Sequence, residues 1–176
     1  KLLKALFSYY NNEIPWALSQ FKALRSSTTK LIANDAMSYS ILIEENIDQD
    51  STYNGLRLFA NAEKELEYNN PELAKAYLDT LTSSYIHHPL FDDVFLLKAK
   101  INIAVNNFDK AKEYLKQSLI KYPYEITADD ALFLLSEICL NKTNEKALAK
   151  ELLEKIILDY PNSIYVTEAR KLLKEL

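Results

Sequence analysis

A motif of about 32 residues occurs three times in this chain at almost constant spacing, and that periodicity restricts the fold more than any other feature. Its clearest copy is 92–123, DDVFLLKAKINIAVNNFDKAKEYLKQSLIKYP, which reads as a helix, a four-residue turn and a second helix closed by Pro123. In this copy Ala99 lies in the first helix, Ala111 and Leu115 in the second, and Tyr122 and Pro123 at the exit. An offset of 37 residues upstream finds Ala62, Ala74, Leu78 and Tyr85, with Ile86 in the proline slot. The same offset downstream carries Asp92-Asp93 onto Asp129-Asp130 and Ala99 onto Ser136. One extra residue in the next turn then makes the offset 38, carrying Ala111 onto Ala149, Leu115 onto Leu153 and Tyr122-Pro123 onto Tyr160-Pro161. A fixed period between roughly 20 and 50 residues is the mark of a solenoid.

The residue types agree with helix pairs. Ala99 and Ala111 are small residues on facing helices and allow close approach. Leu115 and Leu119 are four apart and share a face of the second helix. Pro123 cannot continue a helix interior and ends the unit. A pair of this size cannot bury its apolar face alone and requires stacked neighbours.

These positions resemble the tetratricopeptide repeat family. Its pattern has a bulky residue early in helix A, a small one four later, a small one opening helix B, a large apolar one four further on and a closing proline. Here those places are held by Phe95, Ala99, Ala111, Leu115 and Pro123. The match is good over 92–123, fair over 130–161 and weaker over 55–86, where Ile86 replaces the proline. Asn102 stands where the family prefers an aromatic. The period exceeds the family's usual length of about 34, which implies extended turns. The closing run, LLEKIILDYPNSIYVTEARKLLKEL, is similar to repeats of bacterial cell-envelope members of the family, including those serving outer-membrane assembly. The resemblance implies an all-α, right-handed superhelical solenoid of antiparallel helix pairs, about nine helices in all. It also implies a protein-binding role and a place in the bacterial periplasm or envelope.

Composition narrows the function classes. Of 176 residues only Gly55 is glycine, so the chain lacks material for phosphate loops and strand turns. Net charge is −4, and Lys and Arg alternate with Glu and Asp in the manner of solvated helix faces, which argues against nucleic acid as the partner. The single cysteine, Cys139, excludes an internal disulfide. No apolar run of about 20 residues exists to span a bilayer. The chain opens on Lys1 in mid-helix, KLLKALFSYY, and is read as a fragment of a longer protein.

Taken in order, residues 1–10 read as the tail of a helix, Asn11-Asn12 as a turn, and 15–25 as a helix opened by Pro15. Ala17, Phe21 and Leu24 there follow the pattern of Ala111, Leu115 and Ser118. A helix at about 31–46 ends in the polar connection 46–52, in which Asp50 or Ser51 caps the next helix, 52–68. Asn70-Pro71 opens 71–85, and the central pair is 91–106 and 108–121. Thr127 with Asp130 forms a capping-box pattern before ALFLLSEICL. Asn144 opens a helix reaching Asp159, and Asn162 or Ser163 opens the last. In that last helix Tyr165, Ala169, Leu172, Leu173 and Leu176 share a face, expected to pack on 144–159. The whole chain, 1–176, reads as one helical array with irregular helices over 1–50 and three clearer repeats plus a terminal helix over 51–176. The helix at 31–46 is the one expected to break the pairing.

No set of residues points to catalysis. Asp92-Asp93 and Asp129-Asp130 sit in first helical turns, where they offset the helix dipole. The third aspartate that a metal-binding isoprenoid enzyme would need is replaced by Leu96 and Phe133. His87-His88 are adjacent, point apart and have no third histidine to complete a site. Cys139 lies among apolar residues as a buried small hydrophobe. No catalytic, cofactor or metal residue is assigned, and no cofactor is expected. Of the twelve tyrosines, Tyr85, Tyr122 and Tyr160 recur at repeat ends and read as packing residues, while Tyr39, Tyr53, Tyr68 and Tyr124 are candidates for contact with a partner.

By the resemblance, helix A lines a concave groove at Phe59, Glu63 and Leu66, then Leu96, Lys100 and Ile103, then Phe133, Glu137 and Leu140. This mixed surface suits an amphipathic or extended segment of a partner protein. It departs from the family's basic clamp for acidic tails. The reading is a non-catalytic interaction scaffold that docks a protein or peptide, with a purely architectural spacer as the alternative and a helical enzyme as a remote third.

Overall fold

The computed structural model describes residues 1–27, 29–47, 52–85 and 90–176. The expected cap at Asp50 or Ser51 and the histidines His87 and His88 lie outside those residues. The described residues form ten helices and no strand: α1 (Leu2–Tyr10), α2 (Ile14–Leu24), α3 (Lys30–Glu45), α4 (Asn54–Glu67), α5 (Pro71–Ser84), α6 (Phe91–Ala104), α7 (Phe108–Lys121), α8 (Ala128–Asn141), α9 (Lys146–Asp159) and α10 (Val166–Glu175). That is one more than expected, because residues 2–10 form a helix in their own right that packs on α2. The chain divides into two compact units, Lys1–Val94 and Phe95–Leu176, with the boundary one turn inside α6.

The pairs share one turn, built on asparagine. Asn12, Asn69, Asn106 and Asn144 all have positive φ, between 54° and 63°. Asparagine tolerates the left-handed region better than other residues with a Cβ, which explains how a chain with so little glycine makes these turns. In the first three copies the surrounding bonds form a Schellman motif. Asn12, Asn69 and Asn106 donate to the carbonyls three residues back, each at 2.9 Å. Glu13, Asn70 and Asn107 donate five back, at 2.9, 2.8 and 2.8 Å. At the fourth turn Glu145 donates six back, to Cys139 at 2.7 Å. That longer closure holds the extra residue which changes the period from 37 to 38.

The same turn shows which helix is the inserted one. Ala5, Asn12, Ala17 and Phe21 map onto Ala62, Asn69, Ala74 and Leu78 at one offset of 57 residues. Ala5, Ala17, Phe21, Ala62, Ala74 and Leu78 are all wholly buried. So α1–α2 is a regular pair, and α1 packs directly against α4, the first helix of the next pair. The helix α3, which packs on α2, is the added element. A branched residue at a turn position should be costly: Asn106→Val is expected to lose about 1–2 kcal/mol in urea unfolding, and Asn106→Gly to lose little or nothing.

Each unit has its own core. In the first, Tyr9, Ile14, Phe21, Ile43, Leu56, Leu78 and Leu81 are almost completely buried. Tyr39 stacks on Phe21 with ring centroids 5.0 Å apart. In the second, Ala99, Ala111, Leu115, Leu132, Leu135, Ala149, Leu153 and Ile156 form one cluster, to which Ala169 of α10 also belongs. As expected, α10 packs on α9. Tyr165, Leu172 and Leu173 are partly buried there, and Leu176 remains 40% exposed.

Several local expectations are corrected. Thr127 is the N-cap residue of α8, but its side chain makes no capping bond. The N–H of Asp130 is instead met by the Asp129 carboxylate at 3.0 Å. Helix α9 begins at Lys146, not Asn144, because Asn144 is taken by the left-handed turn. The last helix begins at Val166, after a turn over 161–165. Of the recurring tyrosines, Tyr160 has a visible role: its hydroxyl donates to the Pro123 carbonyl at 2.7 Å, one repeat end holding the next.

Candidate functional site

In the second unit the first helices of successive pairs carry the proposed groove. Ala99 and Ser136 are completely buried and hold α6 and α8 against their partners. The positions one and four residues on, Lys100 and Ile103 on α6 and Glu137 and Leu140 on α8, therefore turn toward the edge of the packed face. Lys100 is exposed, while Ile103, Glu137 and Leu140 are half-buried. Ile103 and Leu140 rest against the core with part of their surface still in water.

Phe133 is also half-buried, but one face of its ring is occupied. Tyr165, from the turn before α10, stacks on it with centroids 4.3 Å apart and planes 12° apart. The Tyr165 hydroxyl donates to the Asp130 carboxylate. Burial, and then the Asp130 charge, push the Tyr165 hydroxyl well above its ordinary range. Asp130 is thus part of the joint between α8 and the final turn. Glu137 has its carboxyl raised, chiefly by burial and secondly by the charge of Glu168 on α10.

Two of the nine predicted contact positions present no surface to a partner. Phe59 is 3% exposed and Leu96 is 8% exposed, so both pack internally. Large apolar side chains at this register are drawn inward as neighbouring helices close over them. In the first unit Glu63 and Leu66 are half-buried. Glu63 faces a tyrosine group that the register alone did not connect to it. Its charge acts on Tyr9, Tyr10 and Tyr39, whose hydroxyls burial has already raised.

Of the tyrosines proposed for contact, Tyr68 is 64% and Tyr124 96% exposed, and Tyr53 is half-buried. Tyr39 is instead a packing residue, stacked on Phe21 and edge-on to Tyr9 at 5.2 Å. Cys139 is buried, and burial raises its thiol above the ordinary range. A raised thiol pKa lowers the thiolate fraction and with it nucleophilicity. Between the pairs α6–α7 and α8–α9, Lys112 bonds Glu145 at 2.5 Å and tethers α7 to the N-cap of α9.

Residues 130–163 match the family model of the tetratricopeptide repeat. The chain carries a tetratricopeptide repeat. The match spans most of α8, the Asn144 turn, α9 and the following turn. It therefore falls on a pair whose first helix carries Phe133, Glu137 and Leu140. No curated protein and no solved structure matches the chain. Tetratricopeptide repeats serve as protein-interaction scaffolds, and in general terms this is the function of a chain built from such pairs. No helix among the described residues is long and apolar enough to cross a membrane.

Proposed function

We propose that this chain is a non-catalytic scaffold that docks a segment of a partner protein on the first-helix surface of its tetratricopeptide pairs. The observation that carries the reading is the repeated register in the second unit. Lys100 with Ile103 and Glu137 with Leu140 place one charge and one partly accessible apolar side chain on successive first helices. Such a surface suits an amphipathic segment, whose apolar side rests on Ile103 and Leu140 while its polar groups meet Lys100 and Glu137. Phe133 forms an edge of this surface. In the first unit Glu63 and Leu66 hold the corresponding positions. The similarity of 152–176 to envelope repeats supports a partner in a bacterial envelope assembly.

The test is affinity capture with the chain as bait, run in parallel with a Lys100→Glu, Glu137→Lys double variant. The expected result is a specific prey whose recovery falls at least about tenfold with the variant, since reversing two interface charges costs several kcal/mol when both are paired. Recovery unchanged by the variant would overturn this surface as the docking face. The absence of any specific prey would favour an architectural spacer with no free groove.

A further inference from the structure

Three rings and three ammonium groups meet on the pair α6–α7. Phe95 lies 6.3 Å from Tyr114 and 6.2 Å from Tyr122, its ring tilted to theirs by 50° and 46°. Lys121 Nζ stands 4.9 Å from the centre of the Phe95 ring. Lys110 Nζ and Lys98 Nζ stand 5.2 and 6.0 Å from the centre of Tyr114. Lys121 is exposed and the other five side chains are half-buried. The next pair shows that packing alone does not call for this face. The repeat offsets carry Phe95, Lys98 and Tyr114 onto Leu132, Leu135 and Leu152, which are 1%, 1% and 7% exposed. Elsewhere the two pairs agree, Ala111 with Ala149 and Leu115 with Leu153, all wholly buried. Where one pair has buried leucines, the other keeps rings and lysines in reach of water.

The chemistry of this face favours an anion. An ammonium over a ring is held in place without losing its charge. A lysine held in this way gives up less freedom when it binds, which favours affinity. Each ammonium has three donors, so Lys110 keeps donors to spare although it pairs with Glu113 at 2.8 Å. Local charge agrees: past the first turn of α6, residues 95–124 hold six lysines and two acids, in a chain whose net charge is −4. Single-stranded nucleic acid is a poorer fit, because it stacks its bases on open ring faces. Here Phe95 and Tyr114 are tilted against each other and already carry ammonium groups.

We propose that Lys98, Lys110 and Lys121, held by Phe95, Tyr114 and Tyr122, form a docking site for an acidic segment of a partner protein. Its glutamate or aspartate carboxylates lie on the ammonium groups, with the rings beneath them. Lys98 and Lys100 are two residues apart on α6 and point to different sides, so this site is separate from the groove at Lys100 and Ile103. The inference rests on the scaffold reading for there being a partner, and adds a second face and its chemistry.

The test uses the whole chain and two peptides, acetyl-(Ala-Glu-Glu)3-amide and the same peptide with glutamine for glutamate. Binding is followed by backbone and aromatic-ring NMR shifts. The glutamate peptide is expected to shift Phe95, Lys98, Tyr114 and Lys121, and to bind about tenfold tighter than the glutamine peptide. That preference should shrink as salt is raised. Lys121→Gln is a surface change that keeps the circular dichroism melt, and it is expected to weaken the glutamate peptide by about threefold to fivefold. Tyr114→Leu, which puts at this place the residue type of its counterpart Leu152, keeps all three charges and should weaken it by about threefold. Lys116→Gln, an exposed lysine on the same helix outside the cluster, should leave it unchanged. Equal affinity of the two peptides, no binding of either, or an equal loss at Lys116 would overturn the site. So would a short oligothymidylate that binds the same residues more tightly than the glutamate peptide. Shifts centred on Lys100 and Ile103 would sink this inference while leaving the scaffold reading standing.

Discussion

Leu115→Ala should lower the unfolding free energy by about 2–5 kcal/mol, the range for deleting a buried leucine where the surroundings collapse only partly. Leu115 has no exposed surface and belongs to the cluster that contains Ala99, Ala111, Leu132, Leu135 and Leu153. Alanines on facing helices set the helix spacing there, so those helices cannot move closer to fill the space left by the missing isobutyl group. Ile120 is the internal control, because it lies on the same helix, has similar bulk and is 80% exposed. Ile120→Ala is expected to stay within about 0.5 kcal/mol. Urea denaturation of the two variants measures both values. A loss under about 1 kcal/mol at Leu115 would mean that α7 does not pack as described.

The reach of sequence reasoning in this chain follows from which features repeat. Buried small residues and leucines recur at fixed offsets because helix-to-helix distance tolerates little variation, and Ala99, Ala111, Leu115 and their copies were legible for that reason. The pair α1–α2 was not legible as a repeat, because α3 stretches its offset to 57 and Phe21 stands in for leucine. A signal was present nonetheless. Asn-Asn occurs at 11–12, 69–70 and 106–107, and in each case the first helix of a pair closes there. Asn70 and Asn144 were read as helix starts, which credits the side chain with capping when Asn144 supplies backbone freedom and the Asn70 side chain bonds Glu65 at 3.0 Å. In the groove, the register predicts which residues lie near the surface but not how far neighbouring helices close over them. Phe59 and Leu96 went inward because their apolar area gains from burial, whereas Lys100 at the adjacent register kept its charge in water. The tyrosine group around Glu63 combines α1, α3 and α4, and no spacing along the chain reports such a meeting.

That group makes the first unit sensitive to alkali. Burial is the leading cause that raises the hydroxyls of Tyr9, Tyr10 and Tyr39, and the Glu63 carboxylate adds to it in all three. In the unfolded chain each ionises near a pKa of about 10. Between that value and their higher folded values, the unfolded state binds fewer protons than the native state, so stability falls as pH rises. Below about pH 10 both states are protonated and the three groups add no pH dependence. Above it each contributes a slope of roughly 1.4 kcal/mol per pH unit, or about 4 kcal/mol per unit for the three together. Tyr39→Phe removes one ionisable hydroxyl and its bond to Tyr10, lowering stability at neutral pH by about 1 kcal/mol, and it should also reduce the alkaline slope by roughly 1.4 kcal/mol per pH unit. Urea unfolding of the chain and the variant between pH 9 and about 11.5, with tyrosinate absorbance recorded alongside, separates the two effects. The variant's curve should start lower and fall less steeply. Parallel curves would mean that Tyr39 ionises as freely in the folded chain as in the unfolded one.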